Sequence, residues 1–139
     1  MNSTKNSVPA FDCLRVARKD WMSIHPMLEE ANAEAAGYFL QQSLEKYLMA
    51  FLLQNGWKLR TIHELDLLLD DAVKYRSDLK IFQDLCKRVS AYYIADGNSA
   101  ATLELTCENI IKDIREAEGF VKMMFSKKGQ PAKKQTTIP

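Results

Sequence analysis

Four polar side chains stand close together in an otherwise apolar helical stretch, Gln41, Gln42, Glu45 and Lys46, and they are the first candidates for chemistry. Gln41–Glu45 and Gln42–Lys46 are i,i+4 pairs and Gln42–Glu45 is an i,i+3 pair, so a helix gathers all four into one patch. Burying amides and charges costs several kcal/mol each unless they are paired. The patch therefore fits three descriptions: a solvated helix edge, a hydrogen-bonded contact with a second copy, or a polar pocket between helices. In the pocket, Lys46 would act as a point charge for a phosphate.

Downstream, Lys58, Arg60 and His63 gather where the next helix is expected to start, and free backbone N–H groups there favour an anion. His63 stands third in Thr61-Ile62-His63-Glu64. It has the side chain to donate to a phosphate or to carry a proton near neutral pH. It equally suits packing on a neighbouring helix, with Lys58 and Arg60 as solvated loop charges. The expected ligand-binding set is Gln42, Lys46, Arg60 and His63, supported by Gln41 and Glu45. Tyr92 and Tyr93 offer rings for stacking on a base, though core packing with one hydroxyl outward is the favoured role.

Other patterns carry less. Arg18 and His25 have six residues between them, an R-x6-H spacing that arises easily by chance. Asp96, Asn98 and Glu104 do not make a calcium loop, because Ala100 and Cys107 stand where ligands are required. There is no zinc spacing, glycine-rich phosphate loop or nucleophile elbow, so no metal, no cofactor and no catalytic residue is assigned.

The elements that must position these residues read as helices throughout. Leu14, Ala17, Trp21, Ile24 and Leu28 recur at helical spacing, with Pro26 expected to kink or break that helix near His25. From about Ala31 to Gln54 the sequence becomes apolar nearly all round, the mark of a central helix, and Asn55-Gly56 ends it. A capping box predicts a third helix from Thr61 to about Tyr75. A fourth follows from Ser77 or Asp78 to Tyr92, then a turn at Asp96-Gly97-Asn98. A fifth is expected from Ser99, with a heptad stripe of Leu103, Cys107, Ile110, Ile114, Ala117, Val121 and Met124 suited to bundle packing or a dimer seam. The expected architecture is all-α, an up-and-down bundle of four to five helices over residues 10–127. A polar segment, 1–9, precedes it and a disordered basic tail, 128–139, follows.

A chain of 139 residues with 47% apolar and 27% charged side chains is one ordinary domain by size and composition. Nineteen basic against eighteen acidic residues give a formal charge of +1. Without the four tail lysines the body holds 15 basic and 18 acidic residues, a net of −3, which excludes a broadly basic nucleic-acid binder. Cys13, Cys86 and Cys107 are odd in number and widely spaced, as in a reduced cytoplasmic protein. The longest apolar run, Tyr47 to Leu53, is far too short to cross a bilayer.

Several of these segments together resemble the HEPN domain, the nucleotide-binding family of higher eukaryotes and prokaryotes. Ala17-Arg18-Lys19-Asp20 is similar to the family's Ala-x-x-Asp, and Gln41-Gln42-Ser43-Leu44-Glu45-Lys46 to its Gln-Gln-x-x-Glu-Lys. Thr61-Ile62-His63-Glu64-Leu65 follows its Thr-His-(Asp/Glu)-Leu, and Tyr92-Tyr93-Ile94 its tyrosine-rich segment. Met49 stands where many members have a second lysine, and Arg-Tyr-Pro after the tyrosines is missing. The resemblance implies a five-helix bundle that pairs as a homodimer. It also implies a role beside a small nucleotidyltransferase, sometimes in toxin–antitoxin pairs, with binding of a nucleotide or an RNA end. No histidine follows residue 64, so the R-x4-6-H ribonuclease motif of the wider superfamily has no place in the later helices. The alternatives are a divergent ribonuclease toxin using His25 or His63 with Arg18, and a purely structural dimerisation module.

Overall fold

The second helix sets the arrangement, because it has more apolar surface than one neighbour can cover. The computed structural model describes residues 3–92 and 105–127. Among them are α1 (Ser3–Glu29), α2 (Ala33–Gln54), α3 (Leu65–Tyr75), a 3-10 helix (Ser77–Phe82), α4 (Gln83–Ser90) and α5 (Cys107–Met124), with no strand. Fourteen of the 22 residues of α2 are buried, far more than a single stripe. The helix accordingly packs on α1, α3, α4 and α5 at once. The all-α bundle expected from the periodicity is the fold observed.

α1 lies antiparallel on α2 along a seam of small residues. Ala10, Ala17 and Ile24 recur every seven residues on α1, and Ala36, Ser43 and Ala50 do so on α2, all of them buried. The Ser43 hydroxyl donates to the Ala17 carbonyl at 2.9 Å, which fixes the register and sets Ala10 against Ala50 and Ile24 against Ala36. Only small side chains let the backbones come close enough for that bond. Trp21 closes the flank edge-on to Tyr47, their ring centroids 6.4 Å apart.

Several boundaries differ from expectation, each for a local reason. Pro26 neither breaks nor ends α1, which continues to Glu29. The carbonyl that loses its partner is that of Met22, a residue 74% exposed, so solvent can satisfy it. The third helix starts at Leu65 rather than Thr61, and Glu64 precedes it without a side-chain cap. The Leu65 N–H instead donates to the Ser90 hydroxyl of α4 at 2.6 Å, a cap from across the bundle that no local motif announces. The fourth helix opens as a 3-10 turn. The stripe of α5 faces inward, with Ile110, Ala117, Val121 and Met124 in the chain's own core, so it is not a free dimer seam. Helical structure begins at Ser3, within the polar segment 1–9. Tyr93, the turn at 96–98, the expected start at Ser99 and the tail 128–139 lie outside the described residues.

The two ends of the α1–α2 hairpin use the same stop. At the end of α2, Gly56 adopts φ 90°, its N–H bonding to Leu53 and that of Trp57 to Leu52. At the end of α1, the Ala31 and Asn32 N–H groups bond to Leu28 and Met27 in the same pattern, but the left-handed residue is alanine, at φ 58°. An L side chain there costs about 1 kcal/mol that glycine avoids. Ala31 is exposed, so Ala31→Gly should raise stability by roughly 0.5–1 kcal/mol and Gly56→Ala should lower it by a similar amount. Urea denaturation of the two variants reads both signs.

Candidate functional site

Half of the polar patch of α2, Gln41 and Glu45, is buried, while Gln42 and Lys46 stay partly exposed. Gln41 is 0% and Glu45 3% exposed, each following a fully buried leucine, Leu40 and Leu44. A lone carboxylate in such surroundings would cost several kcal/mol. Here it is fully engaged: Gln41 Nε2 donates to Glu45 Oε1 at 3.2 Å, and His63 Nδ1 lies 3.2 Å from Glu45 Oε2. Because a carboxylate only accepts, Nδ1 carries the proton and donates. Gln41 Nε2 also donates to the His63 carbonyl at 2.9 Å, and Gln42 Nε2 donates to Gln41 Oε1 at 2.7 Å.

The Gln41 amide and the Glu45 carboxylate of α2 thus grip the backbone and the ring of His63, with the Gln42 amide bonded to Gln41 behind them. The imidazole is half exposed, at 47%, so one end is clamped in the interior while its body reaches the surface. His63 sits in the extended segment ahead of α3 rather than inside a capping box, and the α3 N–H groups are not what holds it. Chemically, the arrangement is a carboxylate–histidine pair, in which a fixed acid sets the tautomer and direction of the ring.

The other expected members of the site part company. Arg60 donates to Asp71 of α3 at 2.9 Å, where Asp71 also accepts from the Trp57 indole at 3.0 Å and Lys74 at 3.4 Å. Lys46 lies over α1, acting on Cys13 and Asp20. Burial raises the Cys13 thiol above its usual value, and Lys46 only partly offsets this. Gln41, Gln42, Glu45 and His63 therefore come together, while Arg60 pairs with Asp71 and Lys46 lies near Cys13 and Asp20 of α1. Arg18 bonds the Tyr47 hydroxyl and His25 pairs with Glu29 at 3.2 Å, so the R-x6-H spacing does not form a joint site.

Tyr92 takes the core-packing role rather than the stacking one. It is 7% exposed, its ring so close to α2 that a Cβ on Gly37 would stand 3.3 Å from it. Its hydroxyl donates to Asp113 of α5 at 2.6 Å, and burial together with that bond keeps it protonated well above the usual phenol range. Asp113 further accepts from Arg88 of α4 at 3.1 Å, which also reaches Glu116 at 2.9 Å. This second buried network was missed in the sequence. The available signal was an acid at position 113 on the same face as Ile110 and Ala117 of the apolar stripe.

Among the described residues no group of three or more His, Cys, Asp and Glu side chains could hold a metal. No helix among them is long and apolar enough to cross a membrane. In comparison with known proteins, the family model described as HEPN domain matches residues 10–130 of the chain. No curated protein and no solved structure matches it.

The Asp71 hub carries a pH dependence. Burial opposes its ionisation, but the bonds from Trp57, Arg60 and Lys74 outweigh that and hold the carboxyl below its ordinary value of 3.8. A depressed acid stabilises the fold above its unfolded pKa and loses that contribution as pH falls through the folded one. In a Trp21→Phe background, Trp57 fluorescence should therefore hold steady down to about pH 4 and change below it. In Asp71→Asn this acid transition should be absent.

Proposed function

The chain belongs to the HEPN domain family, and we propose that it is a helical module that binds the phosphate of a nucleotide or an RNA end through His63. What supports this reading is one observation: a carboxylate that is 3% exposed is bonded by Gln41 and by a histidine that is half exposed. A buried charge does nothing for core packing, and leucine would fill the same space at less cost. Its effect is to hold the imidazole in one tautomer and one direction; in the protonated ring the other nitrogen, Nε2, is a donor suited to an anion. Gln42, bonded to Gln41 and partly exposed, adds an amide beside the ring. In this account His63 is the contact residue, and Glu45 and Gln41 position it. Lys46, turned toward α1, is not part of the contact.

The homodimer, the nucleotidyltransferase partner and a toxin–antitoxin-like setting are carried over from the family motif and rest on it alone. In the non-catalytic version no bond is made or broken, and the module presents a bound nucleotide or RNA end to its partner. Isothermal titration with AMP, ADP and ATP tests the binding step. A charge-assisted hydrogen bond contributes about 1.5–3 kcal/mol, so His63→Ala should weaken binding at least tenfold. Glu45→Gln should weaken it less, and Lys46→Ala should leave it within about twofold. Thermal melts of each variant confirm that it is folded at the titration temperature. No heat with any of the three nucleotides, or equal binding by His63→Ala and the wild type, overturns the proposal.

A further inference from the structure

The outer face of α1, on the side away from the α2 seam, combines exposed apolar groups with a concentration of positive charge. Phe11 and Met22 are 63% and 74% exposed. They lie eleven positions apart on the same side of the helix, about 16 Å along its axis. Arg15, Arg18 and Lys19 lie between them, all exposed, along a shallow groove of about 510 Å³. Asp12 reaches Arg15 only at 3.8 Å, with both side chains more than half exposed, a geometry that contributes little. Asp20 is partly buried and shared between Lys19 and Lys46, and Arg18 touches the Tyr47 hydroxyl. The face remains positive on a protein whose body is net acidic.

We propose that this face is a docking surface for an acidic amphipathic helix of a partner protein, laid along α1 with apolar side chains on Phe11 and Met22 and carboxylates on Arg15 and Lys19. The spacing of the two anchors is a helical one, matching apolar positions i and i+11 of a partner helix running alongside. A phosphate backbone would leave both anchors in water, and Met22 gives a base no plane to stack on. A second copy paired through this same face would bring like charges together. The surface is independent of His63, so it stands or falls apart from nucleotide binding.

The test uses the full-length chain and a fluorescein-labelled peptide of about 18 residues made of Leu, Glu and Ala, with leucines at i, i+4, i+7 and i+11. Fluorescence anisotropy at low salt should show micromolar binding of this peptide and not of its Lys-for-Glu counterpart. It should also show no preference for oligouridylate or for phosphatidylcholine–phosphatidylglycerol vesicles. The double variant Arg15→Glu/Lys19→Glu should lose at least tenfold and should gain binding to the lysine peptide; Phe11→Ser should weaken the acidic peptide alone. Absence of binding to the wild type, equal binding to the reversed variant, or a preference for oligouridylate or vesicles overturns the proposal. Self-association of the wild type that the reversed variant loses would also overturn it, by assigning the face to a second copy.

Discussion

A carboxylate carried into the apolar core by α2 constrains much of what surrounds it. Glu45 cannot be left alone at 3% exposure, so the fold has to bring it donors. Gln41 supplies one from the preceding turn, and His63 supplies the other from a segment eighteen residues further along the chain. Because Gln41 also holds the His63 carbonyl, the extended stretch between α2 and α3 is pinned at both its backbone and its side chain. That stretch in turn sets where α3 begins, and Ser90 of α4 completes the junction by accepting the Leu65 N–H. The electrostatic need of one residue is met by its own helix and by the segment that follows it.

The same principle recurs on the far side of the bundle. Asp113 is buried on α5 and is satisfied by Tyr92 and Arg88, which ties α4 and its end to α5. Gly37 gives Tyr92 room to lie against α2, so the absence of a side chain on one helix allows a hydrogen bond between two others. The contrast between the two networks is instructive. Each acid is reached by a side chain that is 47% exposed, Arg88 for Asp113 and His63 for Glu45, but Arg88 is also paired with Glu116 at 2.9 Å. In the proposed reading, His63 is the one that meets a ligand.

The helical periods, the central position of α2 and its Gly56 stop were legible in the sequence because each depends on local spacing. The patch at 41–46 was legible as a group but not in its direction. Helical spacing places Gln41, Gln42, Glu45 and Lys46 side by side, yet only the packing of α1 on one flank and of the 57–64 segment on the other sends Lys46 one way and Glu45 the other. Arg60 was lost to Asp71 for the same reason, since an acid eleven residues away has no sequence rule to announce it. Thr61 looked like a cap because the local pattern is right, but a hydroxyl from α4 took the role. The seven-residue spacing of small residues at 10, 17 and at 36, 43, 50 is equally present in the sequence, but only Ala17 falls in an expected stripe, because alanine marks an apolar stripe weakly.

The proposed function depends on His63 meeting phosphate. The chain has two histidines, so an imidazole-selective heteronuclear NMR spectrum resolves His63 against His25 as an internal control. Addition of AMP to the full-length protein should move the ring resonances of His63 and leave those of His25 in place. Movement of His25 alone, or of neither ring at saturating nucleotide, would contradict the account.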